Sequence, residues 1–136
     1  MDEFFIQWEK IDPASLNKDT RSDFFLFANN ESLLFFGFAY EMGLTSAVRQ
    51  AMESIDMKEA DVTFWMGRFV KNLLNESCVD RQLAEEALCL LIFHHRPLFN
   101  YMCINQYHGR DSLLLQNRGC NLVLNTISRK YPVLVP

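Results

Sequence analysis

The chain has 136 residues, 49% of them hydrophobic and 22% charged, with a formal net charge of −4; that length suits one domain and that composition lies far from the disordered regime. Its longest apolar runs, residues 33–40 and 87–93, fall short of the roughly 20 residues a membrane-spanning helix needs, which argues against a membrane partner. A pI near 5.3 with 13 basic residues disfavours nucleic acid, whose phosphates require concentrated positive charge.

Acids in Met1-Asp2-Glu3 stand where a signal peptide carries bases, so the expected location is cytoplasmic. The four cysteines, Cys78, Cys89, Cys103 and Cys120, have no paired spacing and are expected as buried thiols in a reducing compartment. Charge is uneven. Residues 1–60 carry eleven acids against five bases, and residues 61–136 six acids against eight bases.

In chain order, residues 2–11 read as a short helix stopped by Asp12-Pro13. Residues 22–28 and 32–42 read as two more, since Ala39, Glu41 and Met42 favour helix and the apolar run lacks strand alternation. The alternative is a Phe-rich β-hairpin at about 24–38, with Asn29-Asn30-Glu31-Ser32 as its turn. Thr45 suits the cap of a helix reaching Ile55, after Gly43. Asp56-Met57-Lys58-Glu59 is a capping-box pattern, followed by Val62, Trp65, Met66, Phe69, Val70 and Leu73 at helical spacing.

Ser77-Cys78-Val79-Asp80 repeats the start signal for a helix ending before Pro97. Its segment 87–93 is apolar on all sides, so neighbours should surround it. A short helix from Pro97 to Gly109 and a last one from Asp111 to Lys130 complete the series. Short connectors make these antiparallel neighbours. The expected fold is therefore mainly α: one helical domain over 1–136, a compact orthogonal bundle of about six to eight short helices.

Catalytic and cofactor signatures are weak. His94, His95, His108, Cys89 and Cys103 lack a convergent metal-ligand spacing, and Cys103 with His108 would fall on different faces of a helix. Glu85 and Glu86 diverge for the same angular reason, with Arg81 placed to pair Glu85. The five dispersed glycines make no phosphate loop; Gly37 and Gly67 read as marks of close packing. No catalytic residue, metal or cofactor is expected.

Ten of eighteen aromatic residues crowd into the first forty positions, more than short elements bury easily. Phe4, Phe5 and Trp8, with the acids Glu9, Asp12, Asp19 and Asp23, are therefore the candidate partner-binding residues. The functional expectation is a non-catalytic protein-binding module: an inhibitor or immunity protein of antitoxin type that neutralises a basic toxin or effector. The alternative is a secretion chaperone, adaptor or helical regulatory protein, for which an exposed aromatic groove or a homo-oligomer would be the mark.

Overall fold

The computed structural model describes residues 2–17, 20–29, 32–40, 43–55, 62–71, 80–119 and 127–129, and within them the chain is mainly β. The elements are β1 (Asp2–Ile11), β2 (Phe24–Asn29), β3 (Ser32–Phe38), α1 (Leu44–Ile55), β4 (Thr63–Val70), α2 (Arg81–His95), β5 (Leu113–Arg118) and β6 (Ile127–Arg129). Five strands of six to ten residues and the three-residue β6 form one mixed sheet in the order β3-β2-β4-β1-β5-β6. β1 runs parallel to β5, and all other neighbours are antiparallel. The expected bundle of six to eight helices is thus corrected: among the described residues there are a sheet and two α-helices, one against each face.

The two faces explain why the sequence reads as helix. On β2, Phe24, Leu26 and Ala28 pack with Leu83, Ala87, Leu90 and Leu91 of α2. Phe25 and Phe27, between them, pack with Leu44, Ala47, Val48 and Ala51 of α1. A strand covered on both sides needs no polar alternation, so an unbroken apolar run is its natural signature. The Phe-rich hairpin weighed as the alternative is what the chain forms, with a bulge between Phe27 and Ala28 that leaves Leu34 unpaired.

Residues 2–11 and 63–70 are likewise strands. Both lie at the centre of the sheet: on β4, Trp65 and Phe69 join one core and Phe64 and Met66 the other, which mimics helical spacing, while on β1 Phe5 and Ile11 break an alternation of Phe4, Ile6 and Trp8 with Glu3, Gln7 and Glu9. Gly67 lies beneath the indole of Trp8, and Gly37 beneath the ring of Phe25. The close packing expected of these glycines is that of aromatic rings on strands, not of helix on helix. Leu113, Leu114 and Leu115 likewise start β5, where a helix to Lys130 was expected; Gly119, at φ +84°, supplies the left-handed turn after it.

Two helical expectations hold. α1 ends at Ile55 as read, although it begins at Leu44, one residue before the expected cap; the Thr45 hydroxyl donates to the Asn17 carbonyl instead. α2 ends as read, with Arg96 in a left-handed conformation before Pro97, but it begins at Arg81, later than a capping box opening at Ser77 implies, with Asp80 itself as the cap accepting from the Leu83 N–H (3.2 Å). The capping box at 56–59, Cys78 and Cys120 lie outside the described residues.

Candidate functional site

Residues 97–107 form turns rather than the expected helix, because they are fastened to three other parts of the molecule. The Leu98 and Phe99 N–H groups donate to the Leu33 and Leu34 carbonyls of β3 (3.4 and 2.8 Å). The Asn100 side chain accepts from the Phe36 N–H (2.8 Å) and returns a bond to its carbonyl (3.0 Å). Cys103 is disulfide-bonded to Cys89 of α2, which corrects the expectation of free thiols and removes Cys103 as a nucleophile beside His108. The Arg96 guanidinium donates to the Ile104 carbonyl (2.9 Å), tying the segment to the end of α2.

Held in this way, the segment forms one wall of a groove of about 580 Å³ at the β3 edge of the sheet. Phe35, Phe36 and Phe38 of β3 form its floor, and Ala51, Ser54 and Ile55 of α1 stand on one side. Glu85, Leu88, Cys89 and Ile92 of α2 stand on the other, and Phe99, Asn100, Tyr101 and Met102 close it. Leu98, Tyr101 and Met102 are 71%, 90% and 78% exposed, the large hydrophobic side chains most open to solvent among the described residues. Single exposed hydrophobes are ordinary, but three on one segment beside an apolar groove single it out as the candidate site.

The sequence-derived candidates are placed elsewhere. Phe5 and Trp8 are buried, Phe5 beneath the Arg118 guanidinium at 4.3 Å, and half-buried Phe4 packs against Phe69. Glu9 and Asp12 are exposed, and Asp12 accepts from the Ala14 N–H (3.0 Å). Asp23 is half-buried and accepts from the Phe69 N–H (2.6 Å); burial raises its carboxyl pKa against the lowering effects of that bond and of Arg68. Asp19 lies outside the described residues. These residues do not converge on one surface, since Phe4 and Trp8 share one face of β1 while Phe5 and Glu9 share the other.

A second polar feature joins α2 to the opposite edge. The Trp8 indole N–H donates to Asn117 Oδ1 (3.1 Å), and Asn117 Nδ2 donates to Ser128 Oγ (2.8 Å). Ser128 Oγ lies 2.7 Å from His95 Nε2. The Ser128 hydroxyl has one proton and two lone pairs, so it can accept from Asn117 and bond either tautomer of His95. Burial first, and His94 second, push the His95 pKa down to about 3. A neutral histidine beside a serine has the composition of a nucleophile and its base. Ser128 is nevertheless fully buried, so no substrate reaches it in this arrangement.

No protein-family model, curated protein or solved structure matches the chain. Function must therefore be read from the site alone. Among the described residues, no three His, Cys, Asp or Glu side chains gather to hold a metal ion, and no helix is long and apolar enough to cross a membrane. The expected pairing of Arg81 with Glu85 is present (3.1 Å), whereas Glu86 turns to Arg110 (3.0 Å).

The sequence did carry one sign of the groove. Segment 87–93, apolar on all sides, is covered by the sheet through Ala87, Leu90 and Leu91, while Leu88, Cys89 and Ile92 line the groove.

Proposed function

We propose that the protein is a non-catalytic binding module that takes an apolar segment of a partner protein into the groove between α1, α2 and the 97–107 segment. The observation that carries this reading is the exposure of Leu98, Tyr101 and Met102, at 71%, 90% and 78%, on one segment beside that apolar groove. The bonds that fasten the 97–107 segment support binding without costly rearrangement, because an ordered wall loses little entropy when occupied.

This favours the chaperone or adaptor class over an inhibitor steered by charge. Glu3 and Glu9 share one face of β1, Asp12 follows that strand and Glu53 stands on α1, and none of these exposed acids lines the groove. The Cys89–Cys103 bond weighs against the expected cytoplasmic setting, since reducing compartments keep such pairs as thiols.

The test is selection of binding segments from a random peptide library displayed on phage, followed by affinity measurement on the Met102→Glu and Ser54→Glu variants. Both residues line the groove and are exposed, so folding should be unaffected. Apolar segments that bind the unaltered chain and lose affinity to both variants are the expected result. Ligands indifferent to both but weakened by Glu9→Lys and Asp12→Lys would overturn it in favour of the inhibitor class.

A further inference from the structure

Resting on that reading for its purpose, we infer that the Cys89–Cys103 disulfide is a redox latch on the groove wall. Oxidised, it holds residues 101–106 in place; reduced by a dithiol, it frees them while the fold persists. The wall is fastened in two unlike halves. Leu98, Phe99 and Asn100 bond directly to the backbone of β3, and none of those bonds passes through a cysteine. Residues 101–106 are tied instead to α2 and its end, by the disulfide, by half-buried Ile104 at the margin of the core, and by Arg96. The exposed Arg96 guanidinium donates to the Ile104 carbonyl and to Asn105 Oδ1 (2.9 and 3.3 Å).

The backbone marks Cys103 as the restrained point of that half. Its φ of +64° is left-handed, a conformation that residues bearing a Cβ adopt only where their surroundings hold them. Cys89 is a firm anchor for this, because Leu83, Ala87, Leu90 and Leu91 fix α2 in the core. Once the bond is cut, Cys103 is free to return to ordinary backbone geometry. Its exposed neighbours Tyr101 and Met102 move with it, and they are the rim of the groove.

The bond is also within reach. Both cysteines are half-buried and both line the groove, and accessible disulfides are the labile, regulatory kind. One thiolate of the dithiol attacks one sulfur of the pair, giving a mixed disulfide and releasing the other cysteine as thiolate. The second thiol of the reagent then displaces the remaining cysteine and closes a cyclic disulfide. The protein gains two electrons and two protons as two thiols, and the dithiol is oxidised by the same amount.

The test treats the native protein with dithiothreitol, followed by alkylation mass spectrometry and by chymotrypsin cleavage. Cys89 and Cys103 should become alkylated together without denaturant. Cleavage after Tyr101 should accelerate about tenfold or more, while cleavage after the buried Phe24 and Phe36 of the sheet stays slow. Glutathione disulfide should restore the slow rate, and Cys103→Ser should show the fast rate with or without reductant. Ligands selected for the groove should bind the reduced protein more weakly, since a loosened wall has to be ordered again on binding.

Thiols that react only in denaturant would make the bond a structural one and overturn the latch, as would unchanged cleavage after Tyr101. Acceleration at Phe24 and Phe36 as well would show a staple of the whole fold and overturn it too. Absence of any groove ligand would strike the binding reading alone, because alkylation and cleavage decide the latch without one.

Discussion

The two edges of the sheet are finished by opposite means. At β6, α2 closes the structure through a chain of buried hydrogen bonds from Trp8 through Asn117 and Ser128 to His95. At β3, the backbone is sealed by Leu98, Phe99 and Asn100 while the side chains around it stay open as an apolar groove. α2 serves both edges. The contrast separates two uses of polar groups: at β6 they complete the interior, and at β3 they block strand pairing while leaving a hydrophobic surface accessible.

Substituting the shared helix tests this contrast most severely. Leu91 is fully buried beneath the sheet, and Leu91→Asp should abolish cooperative folding, because an unpaired buried charge costs several kcal/mol against a total stability of about 5–15. A folded variant with a sharp thermal transition would show that α2 is not the element on which both edges depend.

Next in size is the groove wall. Cys103→Ser removes a bond closing a sequence separation of 14 residues and should cost roughly 2–4 kcal/mol by urea unfolding. If the wall matters for binding, affinity for groove ligands should fall with it. Unchanged stability would mean that the hydrogen bonds of Leu98, Phe99 and Asn100 hold the segment without the disulfide.

At the closed edge, Asn117→Ala leaves the Trp8 N–H and one bond of Ser128 unsatisfied, a loss of about 1–3 kcal/mol. Groove affinity should be retained, since Asn117 belongs to the other edge. A parallel loss of groove binding would show that the two edges are coupled through α2.

The pH dependence follows from His95. Its folded pKa, about 3, lies below the ordinary 6.5. Between those values the unfolded chain binds a proton that the folded chain does not, so this contribution to stability is lost as pH falls from about 6.5 towards 3. The slope is on the order of 1 kcal/mol per pH unit. Asp23 acts the other way, its raised folded pKa favouring the folded state as pH drops through the carboxylate range. The difference between the parent and His95→Gln in urea unfolding at pH 7 and pH 5 isolates the histidine. A parent that loses no more stability than the variant would place His95 in contact with water.

The smallest effect on stability belongs to Met102→Glu. With Met102 78% exposed, unfolding should shift by less than about 0.5 kcal/mol while groove binding falls. A large destabilisation would show the rim to be packed core.

Read alone, the sequence determined the features that depend on neighbouring residues. The stop at Pro97, the end of α1 at Ile55 and the Arg81–Glu85 pair all depend on residues within a few positions of chain. It also showed that residues 87–93 needed cover on every side.

Only the tertiary structure decided strand against helix for β1, β4 and β5. On β4 apolar residues fall on both faces because a core lies on each, on β1 Phe5 interrupts the alternation with Glu3, Gln7 and Glu9, and on β5 Leu113, Leu114 and Leu115 are consecutive and buried, so periodicity does not tell these strands from helix. The groove was beyond reach for the same kind of reason: Asn100 with Phe36 and Cys89 with Cys103 are separated by 64 and 14 positions, and their meeting depends on how the sheet edge folds against α2. The N-terminal aromatics that looked excessive for short helices found room in a central strand, where Trp8 could lie across Gly67 and donate its N–H to Asn117.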